Sequence, residues 1–180
     1  MGYVKGAFLK MSISIKTSES LDLLVGKAFD LNRSFDRAVS IMQNKWCMPN
    51  AANIIHHNLA HLFPLLADLI SGFKDSWNLT TVYPETHKDD RDYANLLNMM
   101  TVLWEEVLDY YEMIKMVYKI AEEEGDLNAM TMLVDFMNKL TVVVSQVYTL
   151  KDKAEQMPTD WDTFDNHISQ WGINGVKLGD

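Results

Sequence analysis

The chain has 180 residues, a formal net charge of −9, and 48% hydrophobic against 23% charged residues. That balance excludes a disordered chain, and a single cysteine, Cys47, excludes a disulfide framework. The acidic excess argues against nucleic acid or an anionic membrane surface as partner, because both require a basic footprint.

Residues 1–18 read as an N-terminal extension that mixes Lys5, Lys10 and Lys16 with short apolar runs. Ala7–Leu9 is too short for a signal-peptide core, and Gly6 stands where a myristoylation signal needs Ser or Thr. No stretch approaches the roughly 20 apolar residues of a membrane helix, so a cytoplasmic protein is expected.

Residues 19–157 carry four helical patterns, and few glycines and prolines interrupt them. The first, from about Ser20 to Asn44, repeats Leu21, Leu24, Ala28, Leu31, Phe35 and Met42 at three- and four-residue spacing. Ser18 or Ser20 can cap it, with Asp22 in the first turn and facing away from the stripe. The second pattern, about Ala51–Phe73, places Ile55, Leu59, Leu62, Leu66 and Leu69 on one stripe. Pro64 removes a backbone bond there and should kink the helix, and Gly72 reads as its stop.

A polar link, Lys74–Tyr93, is far longer than the two to eight residues usual between helices, and predicts a crossover. The third helix, about Ala94–Glu124, ends at Gly125-Asp126; the fourth runs from about Leu127 to Met157, before Pro158. Residues 158–180 form an acidic tail with Trp161 and Trp171 that can make a short helix. The expected architecture is therefore all-α: a four-helix bundle with one long crossover between its second and third helices.

Bundles of this type build metal sites from carboxylates and imidazoles at the edge of the apolar stripe. At about 100° per residue, His57 and His61 share a face of the second helix at i,i+4 spacing, the arrangement that lets two imidazoles share a metal. Asp36 flanks the first helix's stripe, and Glu106 is the third-helix acid nearest its stripe edge. Asp135 and Asn138 of the fourth helix face outward, and its central turns carry no ionisable residue. The candidate metal ligands are thus His57, His61, Glu106 and Asp36; no catalytic residue stands out. Phosphate loops, nucleophile elbows and paired cysteines are absent from the sequence.

Trp104–Met157, with Ala121-Glu-Glu-Glu-Gly-Asp126 and Met132-Leu-Val-Asp-Phe136, resembles the last two bundle helices of ferritins. His61-Leu-Phe-Pro-Leu-Leu-Ala-Asp-Leu69 is similar to the ferritin second helix from its ligand histidine onward. The resemblance spans roughly residues 20–157 and implies a ferritin-like fold and an oligomeric metal-binding protein. Carried over by residue, the di-iron ligand set is incomplete. Asn58-Leu-Ala-His61 stands where the family has Glu-x-x-His, the third-helix glutamate falls near Glu106–Val107 and on a gap-free count on Val107, and Thr141-Val-Val-Val144 replaces a glutamate-rich stretch. The Dps-type mini-ferritins, similar in fold, place ligands at i,i+4 on the second helix and across a dimer interface.

The resemblance thus implies iron, with zinc as the alternative, at a non-canonical site, for iron handling or oxidative-stress protection in a homo-oligomer. Two other readings stay open. One is a metal-free bundle acting as an interaction module; the other is a small-molecule binder using Tyr110, Tyr111, Tyr118 and Trp104.

Overall fold

A computed structural model describes residues 13–177. Its first helix, α1 (Ile15–Asn44), starts earlier than the sequence pattern suggests. Ser14, rather than Ser18 or Ser20, supplies the cap: its hydroxyl accepts from the Thr17 N–H at 3.0 Å. After a short turn, the second bundle helix runs as three pieces. They are α2 (Pro49–Ile55), a π-helical segment His56–Ala60, and α3 (Leu62–Ser76). Pro49 sits at the start of α2, where its missing N–H costs nothing, and Gly72 does not end α3.

The break in this helix falls one turn before Pro64. Pro64 has no N–H to give to the Ala60 carbonyl four residues back, and Asn32 of α1 donates to that carbonyl at 3.1 Å instead. The expected kink is therefore a π turn, with the His61 N–H bonded to the His56 carbonyl five residues back, at 3.2 Å.

The crossover lies along α1. Asp22 accepts from Val82 N–H at 3.1 Å, Asp30 from His87 N–H at 2.9 Å, and the Arg91 carbonyl from Arg37 Nε at 2.7 Å. Both sets of residue numbers rise together, so the link retraces the direction of α1. It delivers the chain to α4 (Leu96–Glu124) at the opposite end of the bundle, parallel to α3. Gly26 makes the approach possible, since a Cβ there would meet the Pro84 ring at 3.0 Å. A two-residue turn then leads into α5 (Leu127–Gln156), which packs along α4. Asp126 in that turn accepts from the Ser14 N–H at 3.0 Å, tying the start of α1 to the α4–α5 corner.

The core is apolar across all these helices, and its centre is aromatic. Phe35, Phe63 and Tyr110 are fully buried, with ring centroids 5.2 and 6.4 Å apart. The Tyr110 hydroxyl has no hydrogen-bond partner, and burial holds its phenol well above the ordinary tyrosine range. Contrary to the expectation that no stretch approaches a membrane helix, α5, alone of the described helices, is long and apolar enough to cross a membrane by length and composition. It turns Leu133, Leu140 and Val147 into the core while leaving Leu127, Val134, Val142 and Tyr148 exposed.

The tail docks on its own bundle. α6 (Trp161–His167) buries Phe164, and its Asp165 accepts from the Ala51 N–H at 2.7 Å and from Asn50 at 3.0 Å. Ala51 is in the first turn of α2, whose preceding residue offers no side-chain cap. Asp165 thus satisfies a helix-start N–H from 114 residues away in sequence.

Among the described residues, one ion pair is largely enclosed. Lys74 is 0% exposed, bonds the Asp22 carboxylate, and also donates to the Ser18 carbonyl at 3.2 Å. Asp22 therefore faces inward against α3, contrary to its angular position on the ideal first-helix wheel.

Candidate metal centre

The π segment decides which histidines meet. In an α-helix five residues turn through about 500°, leaving residue i+5 about 140° away from residue i. A π turn, closed by an i→i+5 bond, instead sets residue i+5 one turn above residue i. His56 and His61 stand in that relation, and their ring centroids are 4.2 Å apart. His57 joins them at 5.1 Å from His56 and 5.5 Å from His61. One ligand nitrogen from each of the three lies within 4.8 Å of the other two. Zn–N bonds of about 2.1 Å at tetrahedral angles set neighbouring nitrogens roughly 3.4 Å apart. Closing the cluster onto an ion therefore asks for movements of about 1 Å, within reach of side chains that are exposed (His57, His61) or half-buried (His56).

Asp36 of α1 reaches this group. Its Oδ1 is 3.1 Å from His56 Nδ1, which leaves Nε2 as that ring's free nitrogen. A carboxylate on the far nitrogen of a ligand imidazole fixes the ring's orientation and raises its basicity. In a metal site Asp36 would accordingly stand behind a histidine rather than on the ion.

Glu106 lies elsewhere. Its Oε1 accepts from Arg91 at 2.6 Å, and Arg91 also bonds both oxygens of Asp89 and the Ser34 hydroxyl at 2.7 Å. Burial opposes ionisation of Asp89, but the hydrogen bonds and charge of Arg91 outweigh it and hold this carboxyl below its ordinary value. Asp89 in turn is the first cause of the raised Arg91 value. This knot fastens the end of the crossover to α1 and α4. A half-enclosed cavity of about 250 Å³ lies against it, lined by Lys27, Asp30, Ser34 and Glu106 among others, and by none of the three clustered histidines.

Of the four residues expected from sequence, His57, His61 and Asp36 thus come together, Glu106 does not, and His56 enters as a member that helical-wheel spacing misses. The signal that could have found it is Pro64, which frees a carbonyl in the preceding turn and makes strict α-register suspect. The aromatic residues of the small-molecule reading are dispersed. Tyr110 is in the core, Trp104 packs on Tyr148 beneath Lys151, and Tyr118 lines a shallow groove with Leu127 and Met130.

The bundle interior does not fit a di-iron centre. Val107, where a gap-free count places the third-helix glutamate, is fully buried among apolar side chains. Val143, in the stretch that replaces the fourth-helix glutamates, is likewise in the core. Asn58, at the second-helix carboxylate position, gives its amide to the Ile173 carbonyl at 2.6 Å.

No protein-family model matches the sequence, and no curated protein does. Solved structures match the backbone closely. An open-pore ferritin from the hyperthermophilic archaeon Archaeoglobus fulgidus superposes with a TM-score of 0.83 at 12% identity, covering 89% of this chain and 97% of that one. A humanized archaeal ferritin gives a TM-score of 0.84, also at 12% identity, over 93% and 100% of the two chains. On this backbone agreement the chain has a ferritin-like fold, a four-helix bundle with one crossover and a short C-terminal helix.

Proposed function

We propose that this chain is a ferritin-like metal-binding protein whose site is the cluster His56, His57 and His61 on the outer flank of the second bundle helix, with Asp36 orienting His56. The observation that carries the reading is the convergence of three imidazole nitrogens within 4.8 Å. Three neutral imidazoles suit zinc, ferrous iron, copper or nickel, whereas all-oxygen sites suit magnesium or calcium. Iron handling is the role that the ferritin-like fold favours, and zinc is the alternative that the donor set favours. Three protein ligands also leave a coordination position open to water or to a ligand from outside. The exposed apolar side chains Met116, Leu127, Val134 and Tyr148 support a homo-oligomer.

Metal analysis and zinc titration of the purified chain test this reading. About one zinc per chain is expected, with uptake lost in His61→Ala. A wild-type chain that takes up neither zinc nor ferrous iron, or a His61→Ala variant that binds as the wild type does, overturns it.

A further inference from the structure

The π segment is held from three sides. On one side Asn32 takes up the Ala60 carbonyl that Pro64 leaves free, and Asp36 holds His56. On another, Ala60 and Leu59 are buried in the core. The third side is the C-terminal tail. Asn58, flanked in sequence by His57 and three residues before His61, donates to the Ile173 carbonyl at 2.6 Å, and Ile173 is itself buried. Two residues on, Gly175 lies flat against the same residue's backbone: a Cβ at Gly175 would run into the Asn58 carbonyl oxygen. Gly175 also has φ +65°, where a side chain is strained in any case. Gln146 of α5 locks this segment in place with a reciprocal pair of bonds, accepting from the Gly175 N–H at 3.0 Å and donating to its carbonyl at 3.2 Å.

A π turn is less favourable than the α-helical turn it replaces and persists where its surroundings determine it. The tail contacts a carbonyl and a side-chain amide inside that turn, and these contacts favour the register in which the His56 and His61 rings meet edge to face. We propose that the segment Ile173–Gly175 is a latch for the histidine cluster, with Asn58 and Gly175 as positioning residues, so that docking of the tail and binding of a divalent metal strengthen one another. The proposal rests on the metal reading above. Coupling of this kind is reciprocal by thermodynamic necessity: if the docked tail raises metal affinity by a given factor, bound metal stabilises tail docking by the same factor.

The test uses the full chain and zinc alone. Two variants loosen the latch without touching a histidine: Gly175→Ala, by collision with the Asn58 carbonyl, and Gln146→Ala, by loss of two bonds. Zinc affinity is expected to fall about tenfold or more in Gly175→Ala and by a smaller factor in Gln146→Ala, in the range seen when supporting groups of metal ligands are removed. Amide exchange in residues 171–177 of the wild type is expected to slow on adding zinc, and that slowing is lost in His61→Ala, which leaves the tail contacts intact. A merely structural tail would not report the metal. Unchanged zinc affinity in a folded Gly175→Ala and in Gln146→Ala overturns the latch, as does tail exchange that ignores zinc. If Gly175→Ala fails to fold, Gln146→Ala and the wild-type exchange decide alone. A wild-type chain that binds no zinc overturns the metal reading and the coupling with it, an outcome distinct from zinc binding that is indifferent to the tail.

Discussion

The centre of the bundle and the outer flank of its second helix contrast in chemistry although both lie on one ferritin-like frame. At the centre, Phe35, Phe63, Val107 and Tyr110 close an apolar core in which the Tyr110 hydroxyl has no partner. On the flank, a single irregular turn gathers three imidazoles and a carboxylate within reach of solvent. The frame rests on apolar stripes spread along four helices, whereas a polar cluster rests on a few side chains, so one fold can carry such clusters in different places.

The most severe way to break this contrast is to place a carboxylate in the interior. Val107→Glu would bury a group whose ionisation burial can oppose by three to five pKa units, a cost of about 4–7 kcal/mol. Denaturant unfolding should show that loss, or the variant should fail to fold. A stable Val107→Glu protein that takes iron into the bundle would erase the contrast.

Next in size are two acid–base pairs of unequal burial. Lys74→Ala leaves the Asp22 carboxylate enclosed without its cation, and should cost about 3–5 kcal/mol. The double variant Lys74→Met with Asp22→Asn should recover most of that loss, since no charge is then buried and Asn still accepts from Val82 N–H. If Lys74→Ala unfolds at the wild-type midpoint, the enclosed pair is not what holds α3 and the crossover to α1.

Smallest in stability is the exposed pair on the flank. Asp36 and His56 are each more than a third exposed in their side chains, so Asp36→Ala should change unfolding free energy by less than about 1 kcal/mol. Zinc affinity should nevertheless fall by about 10–100-fold, the usual effect of removing a carboxylate behind a ligand histidine. A large stability loss with unchanged zinc affinity would make Asp36 a packing residue and sharpen the contrast the other way.

The sequence expectations held best where a feature repeats. Apolar spacing of three and four located all four bundle helices, and the length of the Lys74–Tyr93 link announced the crossover, because both properties are written locally and averaged over many residues. Boundaries set by one residue fared worse: Ser14 caps α1 though Ser18 and Ser20 look as suitable, and Gly72 lies inside a helix that runs to Ser76. The candidate site was half readable. His57 and His61 follow from α-helical spacing, whereas His56 required a change of register that a helical wheel does not contain. Glu106 sits near its stripe edge as expected, but what faces it there is Arg91 from the crossover, a partner that no spacing within α4 can name.

Sequence by itself, then, determined an acidic, all-helical chain with a crossover bundle, because hydrophobic periodicity and the scarcity of Gly and Pro act along the chain. Tertiary structure decided where the polar groups went. Asn32 meets the carbonyl freed by Pro64, Asp22 turns inward to Lys74, and the tail closes on Asn58, each contact joining residues at least 28 apart in sequence. Such pairings follow from helices packing at a fixed distance and from buried polar groups having to find partners wherever the fold supplies them.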